Sequence, residues 1–128
     1  MKIIRKIPVK QILTEKSKEK LKDKFDEQIL QFEQECQQLL FEQKKLQNKK
    51  GVSREDVYKR FQNEITKRKD KIKWVEFQLE QLEILPIGSE ITESEVETLV
   101  EVEVGTNWNE LNSSKAIIIK DGIVIQMR

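Results

Sequence analysis

Apolar residues recur with helical period along the middle of the chain. Phe25, Ile29, Phe32, Cys36, Leu39 and, skipping Gln43, Leu46 step by 4, 3, 4, 3 and 7, a heptad seam held over three repeats. From Thr14 to Lys50 there is no Gly or Pro, and Leu, Gln, Glu and Lys dominate. Thr14 is the expected N-cap, because its hydroxyl can accept an orphan N–H of the first turn. The pattern predicts a helix of about 34 residues, about 50 Å long at ~1.5 Å per residue.

The pattern restarts after Gly51. Ser53-Arg54-Glu55-Asp56 resembles a capping box with Asp56 in the place of Glu or Gln. Tyr58, Phe61, Ile65, Arg68, Ile72, Val75, Leu79 and Leu82 then step 3, 4, 3, 4, 3, 4, 3 before Pro86 and Gly88 end the run. Two seams of matched length joined by a few residues bury their stripes by folding back antiparallel. The alternative is one continuous helix dimerising in parallel, since an interior Gly51 would cost only about 1 kcal/mol. The new N-cap at Ser53 favours the hairpin, with its tip at 48–53.

Both ends of the chain read as strands. Lys2–Lys10 is short and β-branched, and Pro8 within it argues for an edge or a strand end. Val96, Thr98, Val100, Val102 and Val104 alternate with Glu97, Leu99, Glu101 and Glu103, the period-2 pattern of a strand. Two apolar runs, 116–120 and 123–126, flank Asp121-Gly122, the dipeptide favoured in type I′ hairpin turns. An antiparallel hairpin returns the chain to the end where it left. The expected fold is therefore α+β: an antiparallel coiled-coil hairpin over 14–85, projecting from a small antiparallel sheet or partly closed barrel built from 1–13 and 86–128.

A second apolar line, Trp74, Phe77 and Ile84, lies on the base half of the second helix, with Leu21 and Leu30 as counterparts on the first. Such a line either packs the hairpin base onto the β module or forms a self-association face. Trp108, in the turn Gly105–Asn109, either caps a small core or anchors a partner.

Charge sharpens this picture. Charged residues make up 37% of the 128, well above the roughly 25% of an average domain, which suits long solvated helices. The net charge of +1 conceals a polarity. Residues 44–73 hold twelve cations against four carboxylates, whereas Glu76–Glu110 holds ten Glu and no cation. Lys44, Lys45, Lys49, Lys50, Arg54, Lys59, Arg60 and Lys67 are the candidate tip residues for an acidic or phosphate-rich partner. A solvated face that keeps the hairpin soluble is the plainer reading. Base stacking is not expected, because Tyr58 and Phe61 both occupy seam positions. The acidic strand has a structural use as well, pairing across the sheet with Lys2, Arg5 or Lys6.

Candidate chemistry is thin. With no His and the single Cys36, the chain lacks Cys-His dyads, Ser-His-Asp triads and zinc sites built on Cys or His pairs. Cys36 in an apolar stripe reads as a small buried hydrophobe. Glu93, Glu95, Glu97, Glu101 and Glu103 lack the spacing of a calcium loop, and no Gly-rich phosphate loop occurs. No cofactor, small-molecule substrate or membrane partner is implied, and an enzyme is not expected. The longest apolar runs are too short for a signal-peptide core, so a soluble cytoplasmic protein is expected.

The segments VKQILTEKSKEKL, QECQQLLFEQKKL, VEVGTNWNEL and AIIIKDGIVIQ give the whole chain a resemblance to the YlqD family of small bacterial proteins. None of the four is a catalytic signature. The resemblance implies a cytoplasmic protein whose genes tend to lie beside ribosomal and RNA-maturation genes, and it transfers no functional residue. Three roles stand open from the sequence. The first is a non-enzymatic protein that presents its coiled-coil arm to other proteins or to itself. The second is an RNA- or ribosome-associated factor that works through the basic tip. The third is a holdase-like oligomer of arms, analogous to prefoldin.

Overall fold

The computed structural model describes residues 1–113 and 115–128. In chain order the elements are β1 (Lys2–Ile12), α1 (Glu15–Gln47), α2 (Arg54–Ile84), β2 (Glu90–Glu101), α3 (Trp108–Asn112), β3 (Ile117–Lys120) and β4 (Ile123–Met127). They divide into two units, residues Met1–Lys18 with Leu85–Arg128, and Glu19–Ile84. No helix among the described residues is long and apolar enough to cross a membrane.

The unit Glu19–Ile84 is a pair of long helices in hairpin arrangement. Gln62 Nε2 donates to Gln43 Oε1 at 3.2 Å, Arg68 Nε donates to Glu35 Oε2 at 3.4 Å, and Lys22 pairs with Glu83 at 3.4 Å. Rising numbers on α1 meet falling numbers on α2, so the helices run antiparallel. The reversal occupies 48–53, with Gly51 at φ +79°, a backbone conformation that only Gly adopts without strain. Gln47 Nε2 closes the tip by donating to the Arg54 carbonyl at 3.3 Å. At Ser53 the cap is half made. Its Oγ accepts the Asp56 N–H at a long 3.4 Å, and among the described residues the Asp56 carboxylate makes no return bond.

Val57, Ile65, Val75 and Leu82 are buried on α2, each stabilising the pair by roughly 1.5–3 kcal/mol. Val57 replaces the expected Tyr58 in the seam, and Tyr58 is 51% exposed. The first steps of α2 are therefore 4, 4 and 3, an eleven-residue repeat that keeps a nearly straight helix in phase. On α1 the residue skipped by the apolar count is a member of the seam. Gln43 is 7% exposed and spends its carbonyl on Gln62. Leu21, expected on the second line, is half-buried, four residues before Phe25.

In the other unit, α1 begins as Thr14 predicts. Thr14 Oγ1 accepts the Ser17 N–H at 3.1 Å and Ser17 Oγ accepts the Thr14 N–H at 2.8 Å, a reciprocal capping box with Ser in the third position. The Leu13 backbone is held on both sides of this cap: its N–H donates to the Ser89 carbonyl and its carbonyl accepts from Gly88. The buried apolar residues here are Val9, Leu13, Ala116 and Ile118.

The sheet has the order β2-β1-β3-β4 and is open and mixed, not an antiparallel sheet or a barrel. β1 pairs antiparallel with β2 from Lys2↔Glu101 to Ile12↔Glu90, with a bulge at Val9/Lys10, and parallel with β3 over Val9–Gln11. The parallel sense follows from the route of the chain. β2 ends opposite Lys2, and β3 begins opposite Val9, so the intervening segment travels about 23 Å along β1 at ~3.3 Å per residue before pairing starts. Arg5 anchors that crossing by donating its guanidinium N–H groups to the carbonyls of Leu111 and Ser113. It is thus spent at the end of α3, and not on the acidic strand.

Two further expectations shift and two hold. Pro8 lies inside central β1, at the point where β3 pairing has not yet begun, so its missing N–H costs nothing on that side. β2 starts earlier than the Val/Glu alternation, at Glu90, and stops at Glu101, which leaves Val104 fully exposed in the turn at Gly105. Lys2 and Lys6 do stand opposite Glu101 and Glu97. The β3–β4 turn has both central residues at positive φ, Asp121 at +48° and Gly122 at +81°, as a type I′ turn requires.

Candidate functional site

The cationic tip is built by two helix ends. Lys44 and Lys45 fill the last turn of α1, where cations complement the helix dipole. Lys49 and Lys50 lie in the reversal, and Arg54, Lys59, Arg60 and Lys67 follow on α2; all eight are exposed. Lys59 pairs with Glu55 at 3.4 Å and Lys67 with Glu64 at 3.2 Å. Among the described residues the other six cations make no ion pair.

An open groove of about 530 Å³ lies beside this tip. Leu39, Leu46, Val57 and Phe61 supply apolar lining, and Arg60 and Lys67 supply cations. The local electrostatics are set by one carboxylate. Arg68 Nη1 donates to Glu64 Oε2 at 2.6 Å and Lys67 Nζ donates to Glu64 Oε1 at 3.2 Å. The Arg68 hydrogen bond, then the Lys67 hydrogen bond and charge, hold the Glu64 carboxyl below its ordinary range. The same bond raises Arg68, so the ion pair persists through neutral pH. Tyr58 adds an exposed ring next to Lys59 and Arg60.

A second surface lies further along α2. The rings of Trp74 and Phe77, one helical turn apart, stack with centroids 5.7 Å apart and planes at 25°. Trp74 is 61% exposed and Phe77 49% exposed, and Ile84, two turns beyond Phe77, is more open still. Leu30 is exposed on α1, where steps of 4, 3 and 4 lead through Gln34 and Gln37 to Phe41, also exposed. Sequence reasoning missed Phe41; the signal was this Gln-filled second heptad line, which an apolar count passes over.

Trp108 opens α3. Asn107 Oδ1 caps the helix by accepting from the Asn109 and Glu110 N–H groups at 3.1 and 3.2 Å, and the indole is more than half exposed. Cys36 is a half-buried seam residue whose thiol points at the Ile65 carbonyl, 3.9 Å away. Among the described residues no group of three or more Cys, Asp or Glu side chains is placed to hold a metal ion.

A family model described as YlqD protein matches residues 1–128. The Bacillus subtilis (strain 168) protein named "Uncharacterized protein YlqD" is 43% identical over 128 residues, which span all of this chain and 98% of that one. A crystal structure of a protein of unknown function from Synechococcus sp. WH 8102 superposes with a TM-score of 0.87 at 18% identity, covering all of this chain and 96% of the other. That likeness extends the fold across a wide sequence distance. The full-length match and the close relative together place this chain in the YlqD family.

Proposed function

We propose that this protein is a non-enzymatic interaction protein whose working part is the helical hairpin, read as an antiparallel coiled coil that offers its outer faces to other proteins in the cytoplasm. The observation that carries this reading is the open Trp74–Phe77 stack. Two large aromatic side chains stacked in solvent expose apolar area that a lone hairpin has no use for, and Trp and Phe are the side chains that anchor interfaces.

A photo-reactive side chain at Gln81, on the same face, tests it in living cells. Discrete adducts that vanish in the Trp74→Arg/Phe77→Arg variant, with the melting temperature unchanged, are the expected result. Adducts that persist in that variant, or no adducts at all, overturn the reading.

The six cations without ion pairs favour a second reading, in which the tip binds a phosphate-rich polymer such as RNA. Exposed Tyr58 beside Lys59 and Arg60 offers a ring on which a base could stack. Titration of labelled ribosomal RNA at two salt concentrations tests this. Affinity should fall steeply with salt and collapse when Lys44, Lys45, Lys49 and Lys50 are reversed to Glu. Affinity indifferent to the reversal removes it.

A further inference from the structure

The charge along α2 changes sign at the aromatic stack. Lys67, Arg68, Lys69, Lys71 and Lys73 precede Trp74, with Asp70 as the one carboxylate among them; Glu76, Glu80 and Glu83 follow, with no cation before the helix ends. Lys73 and Glu80 lie two turns apart, so both flank the aromatic line on one side. Each is exposed, and among the described residues neither makes an ion pair.

Resting on the reading that this face is a binding surface, we propose that its occupant is α2 of a second copy of the chain, antiparallel about a two-fold axis passing between residues 74 and 77. Such an interface is isologous, so one complementary pair occurs twice. The two stacks then cover each other at the centre. The cationic half of each helix lies along the acidic half of its partner, and Lys73 falls within about 3 Å axially of the partner's Glu80. Asp70 falls opposite the partner's Gln81 and within about 1.5 Å axially of its Glu80, the one carboxylate facing the partner's acidic half against five cations. A parallel pairing sets cation against cation and Glu against Glu over the same length, which disfavours it.

Sedimentation of the full-length chain from about 1 to about 200 μM tests the proposal. The wild type should pass from one chain to two, with the transition weakened by salt. Lys73→Glu alone and Glu80→Lys alone should each weaken dimerisation about tenfold or more, and the double swap should return it to within about threefold of wild type. Far-UV circular dichroism and melting of each variant verify that it folds. A wild type that stays monomeric across the series overturns the proposal, as does a dimer indifferent to the single swaps or one the double swap fails to restore. If the wild type is monomeric while Gln81 adducts to other proteins still depend on Trp74 and Phe77, the second-copy proposal falls and the interaction reading stands. If Gln81 gives no adducts at all, both fall.

Discussion

Arg68 and Glu64 sit one helical turn apart on α2, 2.6 Å from guanidinium nitrogen to carboxylate oxygen, and Arg68 reaches across to Glu35 on α1 at 3.4 Å. The pair ties a bond within one helix to a bond between helices. Because Glu64 titrates below its ordinary range in the folded chain, the unfolded chain binds its proton more readily. Its contribution to stability is fully present above the ordinary carboxylate range and is lost as pH falls through the folded value. Melting temperature followed from neutral pH down to about pH 3 should therefore show Glu64→Gln less stable than wild type at the upper end and equal to it at the lower. A gap that does not close with acid would remove the ion pair as its cause.

Thr14 joins the start of α1 to the sheet's last turn. Its Oγ1 accepts from Ser17 and donates to Asp121 Oδ1 at 2.7 Å. Thr14→Ala should cost about 1–2 kcal/mol in urea unfolding, and Thr14→Ser should recover most of it.

Arg5 should control the order of α3. Loss of its two bonds to the Leu111 and Ser113 carbonyls in Arg5→Ala should raise amide exchange over 108–112 and cost about 1.5–3 kcal/mol. Arg5→Lys should fail to restore protection, because one ammonium cannot reproduce a planar fork across two carbonyls.

At the tip, Gly51→Ala should destabilise the hairpin by about 1–2 kcal/mol, because φ +79° brings Cβ against the backbone. Gly51→Asn should cost less, since Asn tolerates that conformation best among residues with a side chain. Beyond Gly51 itself and its two chain neighbours, no atom among the described residues lies within 4 Å of a Cβ at this position, so a loss in the Ala variant measures local conformation and not crowding.

The two helices, the reversal near Gly51 and the turn at Asp121-Gly122 were legible in the sequence because each is fixed by local chemistry: helical period, a new N-cap, and a dipeptide suited to positive φ. The parallel pairing of β1 with β3 was not, since alternation says which faces a strand has and nothing about the direction of its neighbour. Half of β2 was hidden for a related reason: 90–95 carries Glu, Ser and Thr on an exposed stretch, with no apolar alternation to mark it. Gln43 was overlooked because a polar seam residue is visible only through its partner, Gln62. The eight tip cations could be named from the sequence, but which of them are left without ion pairs depends on where Glu55 and Glu64 sit. Likewise, periodicity found the line through Trp74 and Phe77, and only the fold showed it uncovered.

The central place of β1 in the sheet imposes a schedule on synthesis. This strand leaves the ribosome before either neighbour exists, and about 80 residues, including both long helices, separate it from β2. At about 5–20 residues per second that interval lasts on the order of 4–16 s. The hairpin's contacts are nearer in sequence, so it should fold within that window. Ile3, Ile4, Ile7 and Val9 meanwhile remain an unpaired, aggregation-prone segment. A strand made before both of its neighbours is among the last to be buried, and in the cell the yield of folded protein should depend on what shelters it while it waits.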